Sequence, residues 1–364
     1  MTILNFLGFE TGDLTEGTSS SGTVSVQSTV VRSGGYAFRS NPTTTGAGRL
    51  DLGGLSAAGA IAGFNVATIY ETVYFRYATR PASADEPIIR HISQLGALKF
   101  ELRLNSSGQL AAYDSALTLL ATGATVLAAD TWYRIEVSVG TGTSAAWEVK
   151  INGVSEISGT ANLTTSNVSD CRLGKSINRN GNTVDFFYDD VCFDDAAYPG
   201  AGQVFRMDAD NNGAYTAWTG VYTDVDDIPH DSDTTYLSNA TSGNAETVTL
   251  ESGASAGLVG TPKSVKSCAI VRDEGGSSAI QVRLRSATTD NDTTSSDPGA
   301  TYVLRALVYN TDPATGAAWL AAALDSLEVG VDNAASVAAR CTALSVMVWE
   351  DGVAVSARRM AVIG

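Results

Sequence analysis

The sequence predicts an all-β protein with two antiparallel β-sandwich (jelly-roll) domains in tandem. In many segments apolar and polar residues alternate with a period of two, which is typical of half-buried antiparallel strands. The chain contains 36 glycines, and Ser, Thr, Ala and Gly crowd the segments between the apolar runs, as expected for short strands joined by many turns. With 364 residues, of which 44% are hydrophobic, the chain can form a core in each of two domains.

The first half contains several predicted strands. The alternation is clear in four runs, at 70–77, 99–104, 132–139 and 146–151. In the second of these, three apolar residues alternate with Glu101 and Arg103. Asn152-Gly153 follows the fourth run directly, and this pair supplies the positive φ angles of a type I′ turn. We therefore expect a hairpin at this point.

The second half continues the pattern, with one exception. Further strands are predicted at 246–250, 264–272, 279–285, 302–310 and 340–350. The exception is 315–327, an Ala/Leu-rich segment in which Leu320, Leu324 and Leu327 fall at i, i+4 and i+7. This spacing predicts a short amphipathic helix.

A Pro/Gly-rich segment separates the two halves. An aromatic strand, DFFYDDVCFDD, precedes it, and a segment rich in Gly, Asp and Asn follows it. We expect a first domain over 1–197, a linker over 198–202 and a second domain over 203–364.

The charge excludes several classes of function. The 23 basic and 39 acidic residues give a formal net charge of −16, so DNA and anionic membranes should repel the chain. No apolar run reaches the roughly 18 residues of a membrane helix. The N-terminus lacks the basic region and cleavage site of a signal peptide. We expect neither nucleic acid nor a membrane as a partner.

The four cysteines occur in strand-like runs and form no CxxC pair. Buried, reduced thiols are the favoured interpretation, and one disulfide in each domain is the alternative. His91 is expected on a strand face. No spacing of cysteine and histidine predicts a zinc site.

One segment matches part of a calcium-binding loop. Asp208, Asp210 and Asn212, followed by Gly213, fit the front half of a D-x-[DN]-x-[DN]-G loop. The twelfth position is Thr219 rather than Glu, so an Asx-rich turn without an ion is the alternative. The front half of the loop thus predicts a Ca²⁺ site at Asp208, Asp210 and Asn212.

The first half resembles the concanavalin A-like (laminin-G-like) jelly roll. The resemblance is carried, in order, by NFLGFETGD, ETVYFRY, DTWYRIEVSV, WEVKINGV and VDFFYDDVCFDD. That family contains lectins, glycosidases and non-enzymatic adhesion modules. Its glycosidases carry two glutamates on one strand. Here Glu136 and Glu148 stand alone, so the resemblance implies no catalytic pair.

The second half resembles a β-domain of tailed-bacteriophage fibre, tail and other peripheral virion proteins. The segments VDDIPHDSDTTYLSNATSGNAETVTL and NTDPATGAAWLAAALDSLEVGV carry this resemblance, together with a strand ending in VMVWE. Gly316, Trp319, Leu327 and Gly330 take the expected places, whereas Leu320 replaces a residue that is more often polar. The resemblance implies a structural role and names no catalytic residue.

These observations favour a non-enzymatic structural protein of a bacteriophage virion, assembled in the host cytoplasm. It would be a tail or neck fibre, an adhesin or a head decoration protein, with a lectin-like outward domain. Its expected partners are other virion proteins of the capsid, neck or tail. Repetition on a symmetric particle predicts a homo-oligomer.

The alternative is a carbohydrate-binding adhesion protein that recognises host-surface glycans. Sugar recognition needs aromatic faces together with amides and carboxylates, and the candidate ligand-binding residues are Asn180, Asn182, Asp189, Asp190, Tyr215 and Trp218. A hydrolase is a third hypothesis. No G-x-S-x-G, HExxH or Walker-type segment is present. The sequence does not exclude a catalytic Asp/Glu pair assembled from distant strands.

Overall fold

The computed structural model describes residues 2–53, 64–176 and 181–352, and it confirms the all-β prediction. Fifteen strands precede the linker: β1 (Ile3–Leu7), β2 (Ser19–Gly22), β3 (Val24–Gln27), β4 (Ala37–Ser40), β5 (Gly48–Asp51), β6 (Ile69–Thr79), β7 (Glu86–Ser93), β8 (Leu98–Leu104), β9 (Gln109–Tyr113), β10 (Leu119–Val126), β11 (Tyr133–Val139), β12 (Ala145–Ile151), β13 (Val154–Ala161), β14 (Val168–Lys175) and β15 (Asp185–Asp194).

Nine strands follow the linker: β16 (Gly202–Thr216), β17 (Leu237–Asn239), β18 (Asn244–Leu250), β19 (Thr261–Asp273), β20 (Ile280–Ser286), β21 (Thr289–Asp292), β22 (Val303–Tyr309), β23 (Leu327–Asn333) and β24 (Ala339–Asp351). Two four-residue helices, α1 (Gly253–Ala256) and α2 (Ala321–Leu324), and two 3-10 turns, Leu14–Glu16 and Tyr222–Asp224, complete the described elements. Within the described ranges, no helix is long and apolar enough to cross a membrane.

The strands before the linker form two antiparallel sheets around one core. The eight-stranded sheet has the order β13-β12-β11-β6-β15-β4-β3, with β1 added beside β15, and the seven-stranded sheet has the order β10-β9-β8-β7-β14-β5-β2. Apolar side chains of both sheets, such as Val137, Phe75, Phe100 and Leu173, are buried in one cluster between them. The hairpin predicted at Asn152-Gly153 joins β12 to β13, and both residues have positive φ.

The strands after the linker form a nine-stranded sheet, in the order β21-β20-β23-β18-β16-β24-β19-β22, with β17 added beside β24. β16 bends at its middle. Its first part, Gly202–Asp208, pairs with β24, and its second part pairs with β18 across two bulges. Bulges of this kind allow a strand to pass from one sheet layer to another. The core of this half lies between the two parts of the folded sheet.

The helix predicted over 315–327 is much shorter than expected. α2 spans only Ala321–Leu324, and Leu327 already belongs to β23, where it pairs with Ser286. Leu320 provides no side-chain cap and is 70% exposed. Strand pairing by Leu327 therefore overrides the helical spacing of the leucines.

Residues from both sides of the linker share a buried interface. Phe6 and Cys192 pack with Met347 and Trp349 in one apolar cluster. Lys266 is also fully buried there, and its ammonium group donates a hydrogen bond to the carbonyl of Phe6. The two halves are thus joined by apolar contacts and by buried charges.

Glu10 lies at this interface, and we expect it to make the stability of the folded chain depend on pH in an unusual way. Glu10 is 3% exposed, and its carboxylate accepts hydrogen bonds from the backbone N–H of Gly35. Burial raises the pKa of Glu10 from 4.5 to about 8. The folded state therefore binds the proton more tightly than the unfolded state does. Stability from this group should fall as the pH rises from 4.5 towards 8, and level off above that value.

We expect the substitution Glu10→Gln to remove this loss of stability at higher pH. Between about pH 5 and about pH 9, the melting temperature of the wild-type chain should fall by several degrees more than that of the variant, because the amide cannot ionise in the buried site. Circular dichroism melts over this range measure the difference. Parallel pH profiles for the two proteins would contradict the assignment.

All four cysteines are free and buried, which agrees with the prediction of reduced thiols. Burial raises the thiol pKa of Cys268 and of Cys341 to about 12, and it raises those of Cys171 and Cys192 as well. We expect a thiol reagent such as DTNB to label almost none of them in the folded chain and all four after denaturation without reductant. Fewer than four labelled thiols after denaturation would indicate disulfides.

Candidate functional site

Asp189 and Asp190, two of the predicted ligand-binding residues, are buried rather than exposed. Both lie on β15 and are 0% exposed. Asp189 accepts a hydrogen bond from the backbone N–H of Arg32 at 2.8 Å, and Asp190 accepts one from the backbone N–H of Val204 at 2.6 Å. Burial, together with the neighbouring Asp190 carboxylate, raises the pKa of Asp189. These carboxylates therefore lie in the interior, where they join β15 to the segments that contain Arg32 and Val204.

Asn182 is also internal, at 3% exposure. Its side-chain oxygen accepts hydrogen bonds from the backbone N–H groups of Ala82 and Ser83, both at 3.1 Å, and its amide group donates to Glu86. It therefore fixes the segment that leads into β7. Asn180 lies outside the described residues.

Tyr215 and Trp218 lie in the second half, far along the chain from the other candidates. Trp218 is 5% exposed and belongs to the core, where its indole N–H donates to the carbonyl of Asn244. Tyr215 is half-buried; its hydroxyl donates to Asp290, and the guanidinium of Arg283 lies 4.8 Å from its ring centroid. Trp218 therefore offers no free aromatic face.

The segment predicted as a calcium loop is the bend of β16. Asp208 pairs with Arg206, Asp210 accepts a hydrogen bond from the Thr249 hydroxyl at 2.9 Å, and Asn212 accepts one from the backbone N–H of Tyr222 at 2.9 Å. The three side-chain oxygens thus serve three different neighbours. The segment is thus part of a bulged strand rather than a loop, and Ca²⁺ binding by these three residues stays a prediction.

Gly213 has a packing role at the same bend. A Cβ atom there would lie 2.4 Å from the hydroxyl oxygen of Thr247 and 2.6 Å from a carboxylate oxygen of Glu328. Position 213 therefore has room only for glycine, because β18 and β23 approach it closely. A metal-binding turn is not needed to explain this residue.

The structure reveals a different candidate site on the outer face of the seven-stranded sheet. One residue from each of six neighbouring strands lies in register across this sheet, and we call these residues the polar row: Ser19, Asp51, Arg172, Arg90, Glu101 and Tyr113. Their sequence neighbours Leu173, Ile89 and Leu102 point inward to the core. With strands about 4.8 Å apart, the polar row is about 24 Å long.

A glycine keeps the strands of the polar row close together. Gly174 on β14 has φ 95°, and a Cβ atom there would lie 2.2 Å from the carbonyl oxygen of Gly48 on β5. A larger residue would separate Arg172 from Asp51 on the neighbouring strand.

Guanidinium and carboxylate groups pair along the polar row. Arg90 Nε lies 2.8 Å from a carboxylate oxygen of Glu101, and Arg103 pairs with the same carboxylate. Arg172 Nε lies 2.8 Å from Asp170 and 3.5 Å from Asp51. These pairs hold the side chains in fixed positions before any ligand binds.

A cavity of about 330 Å³ lies at the Asp51 end of the polar row, and its lining includes Asp51, Asp170, Arg172, Ile92 and Gln94. This volume is within the range of small-ligand pockets. Burial raises the pKa of Asp170 to about 6, although Arg172 opposes that shift. At the other end, burial and the hydrogen bond to Asp85 raise the pKa of Tyr113 to about 12.

Sequence reasoning missed the polar row, although it placed Glu101 and Arg103 opposite the apolar face of their strand. That alternation identifies a face but not the neighbouring strands. Arg172 and Glu101 are brought together by pairing of β14, β7 and β8, which are distant in the chain.

Another group of side chains could hold a metal ion. Glu71, His91 and Cys171 each offer a ligand atom, and these atoms lie within 4.8 Å of one another in the interior of the sandwich. This cluster could not be recognised from the sequence, because its members come from three strands of two sheets.

The sequence matches no protein-family model and no curated protein. Its solved structural neighbours include Cip1, a cellulose-induced protein, at 18% identity over 54% of this chain and 100% of that chain, with a TM-score of 0.43. They also include domain 4 of AbnA, a GH43 extracellular arabinanase from Geobacillus stearothermophilus, at 15% identity over 53% of this chain and 91% of that chain, with a TM-score of 0.36.

A sialidase is similar at 9% identity over 54% of this chain, with a TM-score of 0.37, and the chain covers 19% of that protein's length. At such identities the likeness concerns the fold alone.

Proposed function

We propose that the chain is a non-enzymatic structural protein of a tailed-bacteriophage particle and that its first half binds a host-surface glycan through the polar row. The observation that carries the glycan-binding part is the in-register series of charged and hydroxyl side chains across the seven-stranded sheet. The role in a phage particle is supported by the sequence segments of the second half that resemble virion proteins.

The polar row has the chemistry that a sugar requires. A sugar hydroxyl accepts a hydrogen bond from a guanidinium group and donates one to a carboxylate. Arg172 and Arg90 supply the donors, and Asp51, which lines the cavity, supplies the acceptor, whereas the buried Glu101 carboxylate holds Arg90 and Arg103 in place. Because the two arginines and two acids of the polar row sum to zero charge, the row suits a hydroxyl-rich ligand better than a strongly anionic one.

Tyr113 adds an aromatic end to the row. The Arg103 guanidinium lies 3.7 Å from its ring centroid, so one face of the ring is covered. A sugar ring would use the other face or the ring edge.

A glycan array probed with the full chain tests this binding. We expect at least one hydroxyl-rich oligosaccharide to bind, and the binding should survive EDTA because the polar row uses charged side chains rather than calcium. Binding that EDTA abolishes would point instead to a calcium-dependent site. An array without binding would contradict the glycan-binding proposal.

The proposed role in a virion is tested separately by immunogold electron microscopy of intact particles. Label at the tail or neck is expected for a fibre or adhesin that meets a host surface. Label over the head would assign a decoration role and leave the polar row without a host ligand. Particles without label would contradict the virion assignment.

An enzyme is the competing candidate, and Asp170 is the observation that favours it. A carboxyl group with a pKa of about 6 beside a cavity could serve as a general acid or base near neutral pH. We expect no cleavage when the chain is incubated with capsule or cell-wall polysaccharides. Cleavage that Asp170→Asn abolishes would overturn the non-enzymatic assignment.

A further inference from the structure

The interior of the first half contains a polar cluster in otherwise apolar surroundings. Glu71 projects from β6 of the eight-stranded sheet, and His91 and Cys171 project from β7 and β14 of the seven-stranded sheet; all three are 0% exposed. His91 Nε2 lies 2.9 Å from one carboxylate oxygen of Glu71, and Cys171 Sγ lies 3.4 Å from the other. The three ligand atoms converge on one region between the sheets.

Hydrogen bonding accounts for part of this cluster, since the Cys171 thiol donates to both carboxylate oxygens of Glu71 at 3.4 and 3.5 Å, but it does not account for His91. Among the described residues, neither ring nitrogen of His91 has a hydrogen-bond partner, although Nε2 is only 2.9 Å from a carboxylate oxygen of Glu71. An N–H at Nε2 of His91 therefore does not point at the carboxylate oxygen. In a metal site this is the expected arrangement, because each ligand's lone pair points to the ion and not to the neighbouring ligand.

The charge of the cluster also calls for a cation. A buried carboxylate is costly unless a positive group compensates it. Among the described residues, the one basic side chain within 4 Å of Glu71 is His91. A divalent ion bound by a carboxylate, a thiolate and a neutral imidazole would give a site with no net charge.

We propose that Glu71, His91 and Cys171 bind one divalent transition-metal ion, with Zn²⁺ as the expected occupant, and that this ion cross-links the two sheets. Thiolate, imidazole and carboxylate are the ligands that Zn²⁺ takes in proteins. The bond lengths of such sites place neighbouring tetrahedral ligands about 3.4–3.6 Å apart. The 3.4 Å separation of Cys171 Sγ from Glu71 already lies in that range, and the 2.9 Å separation of His91 Nε2 from Glu71 needs a small side-chain adjustment to reach it.

Binding of the ion includes one proton transfer. The Cys171 thiol gives up its proton to solvent as sulfur bonds to the metal, and the imidazole binds in its neutral form. Because the site is closed to solvent, the ion would enter during folding. Copper would bind such ligands more tightly than zinc, so availability selects the metal.

The site lies directly beneath the proposed glycan-binding face but does not depend on it. His91 follows Arg90 on β7, and Cys171 precedes Arg172 on β14. An ion held by these inward residues would fix the two central strands whose outward residues belong to the polar row.

Metal analysis of the full chain tests the proposal. The wild-type chain is refolded from denaturant with zinc and freed of excess metal, and elemental analysis is expected to find about one zinc per chain. Cys171→Ser should lower that content at least tenfold. The control Cys192→Ser, at another fully buried cysteine, should leave it unchanged.

A second measurement keeps the test decisive if Cys171→Ser does not fold. Wild-type chain refolded with Co²⁺ should show thiolate-to-metal charge-transfer absorption, and its melting temperature should exceed that of chain refolded with a chelator. Zinc content near zero, no cobalt–thiolate absorption, or equal zinc in the wild type and a folded Cys171→Ser variant would overturn the proposal. The cluster would then be a His91–Glu71 ion pair with a neighbouring thiol.

Discussion

Replacing Asp190 with alanine is expected to lower the free energy of unfolding by about 3–5 kcal/mol, the cost of breaking a buried ion pair by removing one partner. Its carboxylate pairs with the guanidinium of Arg32, whose side chain is 4% exposed, and accepts hydrogen bonds from the Ser33 hydroxyl and from Val204 N–H. Alanine would leave the buried guanidinium and the Val204 N–H without this acceptor. Asp190 also has φ 47°, which alanine adopts less readily.

Chemical denaturation measures this loss. Asp195→Ala is the matched control, because Asp195 is exposed on the same segment and should change stability by less than about 0.5 kcal/mol. Asp190→Asn should fall between the two, since the amide keeps an acceptor but loses the charge. A loss of under about 1 kcal/mol for Asp190→Ala would show that this pair does not join the segments as described.

Arg172→Ala is expected to weaken binding of the glycan identified on the array by at least about tenfold, or about 1.4 kcal/mol. Arg172 is the central donor of the polar row, and its side chain is 23% exposed, so a ligand can reach it. Hydrogen bonds to charged groups contribute about 1.5–3 kcal/mol each. Arg172→Lys should recover part of the affinity, because it keeps the charge without the planar fork.

Isothermal titration measures the change in affinity. Arg39→Ala is the matched control, since Arg39 pairs with Asp185 on the eight-stranded sheet and lies outside the polar row. It should bind with unchanged affinity. Equal affinities for Arg172→Ala and wild type would place the ligand elsewhere.

The period of two in the sequence was sufficient to predict the fold class. The inward residues Ile135, Val137 and Val139 are all fully buried, and the Asn152-Gly153 turn lies where the sequence placed it. These features depend on residues close in the chain, and local alternation and turn chemistry determine them.

The same local signals could not show which polar residues the pairing of distant strands would bury. Asp189 and Asp190 have the polar composition of a binding site, yet β15 places them in the interior against Arg32 and Val204. Trp218 likewise belongs to the core. Alternation cannot separate an exposed carboxylate from a buried, paired one, because the partner comes from elsewhere in the chain.

The leucine spacing of 315–327 and the Asp/Asn pattern of 208–213 misled for a related reason. Each fits a local motif, but strand pairing of β23 and the bend of β16 determine the backbone there. The sequence alone did not reveal the polar row or the cluster of Glu71, His91 and Cys171. In both, the pairing and packing of strands that are distant in the chain bring the residues together.

A crystal structure of the full chain with the oligosaccharide identified on the array is the decisive test of glycan binding by the polar row. We expect sugar density along the outer face of the seven-stranded sheet, with hydroxyl groups in hydrogen-bond contact with Arg172 and Asp51, which line the cavity, and a ring beside Tyr113. Density on the nine-stranded sheet, or on the outer face of the eight-stranded sheet, would contradict it.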